Sequence, residues 1–179
     1  MDLASLTSGV TSPDDIFAVV ENPRGNPVKY EVDKASGVVF VDRFLHTAMS
    51  YPGDYGLIPH TSSEDGDPCD VLVISPVAVI PGAVIRCRPV GALLMHDEAG
   101  PDEKIVAVPI DKLHSHHPGV NSHNDLPRIL CEKISHFFAH HKDLEPRKWS
   151  VPGEWVGPDE ARRLIQDAIS RYDALGEPK

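Results

Sequence analysis

Glu64-Asp65-Gly66-Asp67-Pro68-Cys69-Asp70-Val71-Leu72-Val73-Ile74 sets Asp65, Asp67 and Asp70 close together, bends the backbone with a glycine and a proline, and runs straight into four apolar residues. Clustered carboxylates repel one another, and holding them together costs stability unless a cation sits among them. An all-oxygen donor set of this kind suits hard ions such as Mg2+ or Mn2+. A solvated acidic turn accounts for the same residues without any ion. The apolar run that follows reads as a buried strand entered directly from the turn.

Working outward, the rest of the chain divides into short elements punctuated by seventeen prolines. Strands are expected at Ile16–Val20, Val28–Val32, Val38–Arg43, Asp70–Ser75, Val84–Arg88, Gly91–Met95 and Lys104–Pro109. Asp33-Lys34-Ala35-Ser36-Gly37 joins the second and third of these as a hairpin loop, with Gly37 free to take a left-handed position. Two helices follow. One runs from about Leu126 to Lys142 and sets Leu130, Ile134, Phe137, Phe138 and His141 at helical spacing. The other spans Pro158 to Leu175, opens on Pro-Asp-Glu, and carries Ala161, Leu164, Ile165, Ala168, Ile169 and Tyr172 along one face. Strands first and helices last imply an α+β protein: a small closed β-barrel with helices packed outside.

The bulk properties narrow the function. With 179 residues and 41% hydrophobic content, the chain suffices for one core, so residues 1–179 are expected to form a single domain. Seventeen basic and twenty-seven acidic side chains leave a net charge of −10. That charge argues against a nucleic-acid partner, and an anionic substrate becomes plausible only if metal ions offset the acids. No apolar run approaches the roughly 18 residues of a membrane span, and no secretory signal is visible at the start. Cys69, Cys87 and Cys131 are odd in number and far apart, as expected of reduced thiols in a cytoplasmic protein.

Two further clusters bear on chemistry. Lys29 and Glu31 share one face of an extended segment, while Val28, Tyr30 and Val32 share the other, and Asp42-Arg43 closes the partner strand. A cross-strand ion pair explains these charges; so does a phosphate site with Arg as a bidentate donor and Lys as a point charge. Asp97 and Asp102 flank the turn at Gly100-Pro101, so both can reach one point in space, although a solvated hairpin tip fits as well. Other motifs fail. An EF-hand counted from Asp65 would need Gly and Glu where Asp70 and Pro76 stand. His136 and His140 are spaced i, i+4 but lack the HExxH context, and the histidines of Leu113–His123 read as a variable loop.

These residues in this order resemble the soluble family I inorganic pyrophosphatases of bacterial type. Asp65-Gly66-Asp67-Pro68-Cys69-Asp70 matches their D-x-D-P-x-D signature. Lys29-Tyr30-Glu31, Val41-Asp42-Arg43, Tyr51-Pro52-Gly53-Asp54-Tyr55-Gly56, Arg86-Cys87-Arg88-Pro89-Val90-Gly91, Asp97-Glu98, Asp102-Glu103-Lys104 and His136 through Glu145 extend the likeness over most of the chain. The resemblance implies an OB-like barrel, a homohexamer, and Mg2+-dependent hydrolysis of pyrophosphate to two phosphates, with Mn2+ or Zn2+ as substitutes. It assigns Asp65, Asp70, Asp102, Asp97 and Glu31 to metal ions and Asp67 as general base on a metal-activated water. It assigns Lys29, Arg43, Tyr55, Lys104, His141 and Lys142 to the phosphates, and matches Glu21 to an active-site acid. A catalytically weak metal- or phosphate-binding relative is the alternative. Cys69 stands where the family has an aliphatic residue, and His141 where it has a tyrosine that donates to substrate. Imidazole beside two phosphates is expected in its cationic form.

Overall fold

A computed structural model describes residues 3–113 and 119–175. His114, His116 and His117 of the histidine-rich loop lie outside the described residues. The strands are β1 (Gly9–Thr11), β2 (Asp15–Asn22), β3 (Val28–Val32), β4 (Val39–Phe44), β5 (Asp54–Leu57), β6 (Asp70–Val73), β7 (Val84–Asp97), β8 (Gly100–Pro101), β9 (Lys104–Pro109) and β10 (Ser150–Val156). The helices are α1 (Arg128–His140) and α2 (Pro158–Leu175). β2 pairs with β5, β5 with β6, β6 with β9, β9 with β7, and β7 returns to β2. Five strands thus close a ring, as the strand-then-helix order predicts, while β3 and β4 stand apart as a hairpin.

The ring is buried on both faces of its central strands. Val71, Val73, Ile105 and Ala107 pack with Ala161, Ile165 and Ala168 of α2. Leu72, Val106 and Val108 pack with Ile134, Phe137 and Phe138 of α1. A strand covered on both sides needs no polar alternation, which is why Val71–Ile74 and Ile105–Val108 read as unbroken apolar runs. β6 and β9 run parallel, with Asp70 opposite Lys104, so the first residues of both strands emerge together at one rim. Gly56 lets β5 approach β2: a Cβ there would lie 1.9 Å from the Val19 carbonyl oxygen.

Some boundaries differ from the sequence reading. The two strands expected at Val84–Arg88 and Gly91–Met95 are one strand, and Pro89 sits at a register shift within it instead of ending it. A proline cannot donate to a ladder, and a bulge removes that demand. β5 and β10 were not expected, because Pro52-Gly53 and Pro152-Gly153 mark turns in a linear reading. α1 is shorter at both ends than the periodic segment: Pro127 is its N-cap and His141 its C-cap. No helix among the described residues is long and apolar enough to cross a membrane.

Candidate active site

One cleft of ≈ 530 Å³ opens at the rim where β6 and β9 begin. Each of the twelve residues expected to hold metal, base or phosphate lines it: Lys29, Glu31, Arg43, Tyr55, Asp65, Asp67, Asp70, Asp97, Asp102, Lys104, His141 and Lys142. They come from five places in the chain, the β3–β4 hairpin, β5, the acidic loop, the β7–β9 connection and the segment after α1, and only the tertiary fold brings them together.

The hairpin supplies one wall. Lys29 is opposite Arg43 and Tyr30 opposite Val41, which leaves Asp42 as an extra residue in β4. In an unbroken strand Asp42 and Arg43 would face opposite sides; the bulge allows both to line the cleft. Lys29 Nζ pairs with Glu31 and lies 3.1 Å from Asp42, and Arg43 Nε lies 3.2 Å from the buried Glu145. Burial works against the Lys29 ammonium, but Glu31 and Asp42 raise its pKa above the ordinary lysine value.

The Asp65 loop forms the opposite side. Gly66 takes φ +89, which a residue with a Cβ rarely adopts, and this turns the chain so that the Asp67 N–H donates to Asp65 Oδ1 at 3.0 Å. Asp67 points outward with its side chain 74% exposed and pairs with Lys34 at 2.8 Å. Cys69 is fully buried behind the loop, where burial pushes its thiol up to about 11; it acts as a small apolar filler.

At the floor, Lys104 is only 5% exposed, and its ammonium bridges Asp70 and Asp102. Burial alone would favour neutral Lys104, but the two carboxylates reverse this and hold it charged. Asp102 is raised by burial and by the nearby charges of Asp70 and Asp97, with Lys104 opposing. Tyr55 is pushed far up by burial and by the nearby Asp70 carboxylate, so it remains a phenol. Glu21, buried behind the hairpin, is raised to about 7 mainly by burial, although its carboxylate accepts the Val32 N–H at 2.8 Å. Across the floor, Lys142 Nζ lies 2.7 Å from Asp97 Oδ2.

His141 lines the cleft, and its protein surroundings alone favour the neutral ring. Its ring stacks on Phe137 at 5.0 Å between centroids and meets Phe138 edge-on. Burial, with Lys142 and Lys104 nearby, lowers its pKa to about 4. The Nδ1–H donates to the Phe138 carbonyl at 3.2 Å. That fixes the tautomer, and leaves Nε2 as an acceptor where a phosphate contact would need a donor.

Ten carboxylates and six cationic side chains line the cleft, so its walls carry an excess of negative charge. Among the described residues no three His, Cys, Asp or Glu side chains converge on one point, because lysines stand between the acids. Two of these lysines were missed in the sequence. Lys34 comes from the hairpin loop, and Lys148, 2.6 Å from Glu98, follows α1. Both sit in loops without periodicity, where no local pattern marks a functional side chain.

The inorganic pyrophosphatase family model matches residues 18–173. The chain belongs to the inorganic pyrophosphatase family. It is 57% identical to the inorganic pyrophosphatase of Caulobacter vibrioides, over 97% of this chain and 98% of that one. It is 52% identical to that of Bradyrhizobium diazoefficiens, over 96% and 97%. Among solved structures, the inorganic pyrophosphatase of Thermus thermophilus superposes with a TM-score of 0.90 at 39% identity, covering 97% of this chain and 99% of that one. An Anaplasma phagocytophilum protein, described as an inorganic phosphatase, gives 0.93 at 44% identity, covering 94% and 99%. Inorganic pyrophosphatases of this family are metal-dependent enzymes.

Proposed function

We propose that this protein hydrolyses inorganic pyrophosphate to two phosphates in a Mg2+-dependent reaction. The observation that carries the reading is the cleft, where carboxylates from two acidic loops meet cations from the hairpin and from the segment after α1. Its donor set fits a hard ion. The lining holds no thiol, and its one imidazole is tied to a backbone carbonyl, which disfavours softer metals. Asp65, Asp70, Asp102, Asp97 and Glu31 would hold the ions. When bound, divalent cations supply charge neutralisation for a polyanion and make water a better nucleophile at neutral pH.

The chain's own groups account for the rest. Lys29, Arg43 and Lys142 stand on two sides of the cleft and would donate to the outer phosphate oxygens, stabilising charge that builds on the transferred and leaving groups. Tyr55 stays protonated and adds a neutral donor. Lys104 is a fixed cation at the floor that offsets the repulsion between Asp70 and Asp102 and would face the phosphates. Asp67 is exposed to water and, among the described residues, its carboxylate pairs only with Lys34 in a solvated contact, so it is free to take a proton as general base. Phosphate release from pyrophosphate with Mg2+, measured against ATP and p-nitrophenyl phosphate, tests the reading; equal or greater release from either of the others would overturn it.

A further inference from the structure

α2 contributes no residue to the cleft lining, yet it holds the loop that carries Asp65 and Asp67. The Ser62 N–H donates to the Ala168 carbonyl at 3.0 Å, and Arg171 Nε–H donates to the Ser62 carbonyl at 2.7 Å. Both backbone groups of one loop residue are therefore pinned to adjacent turns of α2. Two residues earlier, His60 sits at φ 55 with its ring 4.9 Å from that of Tyr172. A non-glycine residue held there costs energy that the surroundings must supply. The pin also leads inward: Ser63, next in the chain, donates its N–H to the Asp67 carbonyl at 2.7 Å.

Docking α2 does not need Arg171. Ala161, Ile165 and Ala168 already bury the helix's apolar face in the core. The loop does need an anchor: it carries Glu64, Asp65, Asp67 and Asp70 in seven residues, and their repulsion favours an open ensemble over one geometry. Ligand carboxylates work only when held within about 0.5 Å of their productive positions. We infer that Arg171 is a positioning residue for the acidic loop, setting Asp65 and Asp67 for the ions and water of the cleft through its bond to the Ser62 carbonyl. The inference rests on the metal-dependent reading above.

The test compares wild type with R171M, which keeps the aliphatic stem but has no donor, and with R171K, which restores one. Three quantities are followed: Mg2+ affinity by calorimetry, amide exchange at Ser62, Gly66 and Asp67, and kcat/KM for pyrophosphate at low and high Mg2+. In R171M, Mg2+ affinity is expected to fall about 10–100-fold, the range typical of groups that orient metal ligands. Exchange in the loop should quicken, activity should fall at low Mg2+ and recover at high Mg2+, and R171K should regain most of the affinity. Wild-type affinity in folded R171M, with or without faster exchange, would overturn the inference and leave Arg171 as a staple. Should R171M not fold, wild-type exchange decides: a Ser62 amide as protected as α2 supports the clamp, and one as labile as an open loop refutes it. A wild type that releases no phosphate would sink the proposed function, while Mg2+ binding and exchange would still judge Arg171.

Discussion

Replacing His141 with phenylalanine should make the protein more resistant to mild acid. The ring is wedged against Phe137 and Phe138 with Lys142 and Lys104 nearby, and its pKa is lowered from 6.5 to about 4. For a base whose pKa is lower in the folded state, the unfolded chain takes up the proton first. Stability is then full above pH 6.5 and lost as pH falls toward 4. At about pH 5 the unfolded imidazole is almost wholly charged and the folded one almost wholly neutral, a penalty of about 2 kcal/mol. One edge of the ring meets the cleft, where water can solvate the cation, so about 1 kcal/mol is the expected share. Urea unfolding in EDTA, at about pH 7.5 and pH 5 for wild type and H141F, isolates this group from the carboxylates that titrate in both proteins. The wild type should lose about 1 kcal/mol more than H141F across that interval. Equal losses in the two proteins would show that His141 is not held neutral.

The tautomer gives a companion expectation: H141Y regains a donor and should lower KM for pyrophosphate, with a ceiling of roughly a hundredfold set by one bond to a charged phosphate. An unchanged KM would place residue 141 out of reach of substrate. D67N should cut turnover about 10²–10⁴-fold while calorimetry finds Mg2+ binding nearly intact, and near-normal turnover would remove Asp67 from the role of base. K104M leaves Asp70 and Asp102 crowded without their cation and should cost about 3–5 kcal/mol in EDTA, with more of the loss recovered by Mg2+ than any gain Mg2+ gives the wild type. Matching melting temperatures in EDTA would refute this. Val41 and Phe44, opposite Tyr30 and Val28, expose apolar side chains on one face of the hairpin, as a self-associating protein would, and light scattering near the monomer mass of 19.6 kDa would rule out the proposed hexamer.

The hairpin could be read from the sequence because its strands alternate and its loop carries the glycine the turn uses; Val28–Val32 was expected to the residue. The acidic loop could be read because crowded carboxylates demand an explanation wherever they fall. The site's partners across the cleft were harder, since Lys34 and Lys148 acquire meaning only from the topology that delivers them. His141 shows both sides. Its place four residues after Phe137 predicts that it faces inward, and it does line the cleft. Its charge could not be foreseen, because that depends on two phenylalanine rings and two lysines packed around it. Pro89 and Pro152 misled for one reason: bulges let strands continue through residues that end them in isolation.

The parallel pairing of β6 with β9 has a consequence for how the molecule comes to be active. Asp70 and Lys104 face each other only if that seam closes in its native register, and a slip of one residue would turn one of the two side chains to the opposite face from the other. The seam joins segments more than thirty residues apart, with all of β7 between them, so its closure carries a large loop entropy and belongs late in folding. No local fragment contains the cleft. During refolding, helical signal should therefore return before the capacity to bind Mg2+, and the metal would report the moment at which the ring becomes whole.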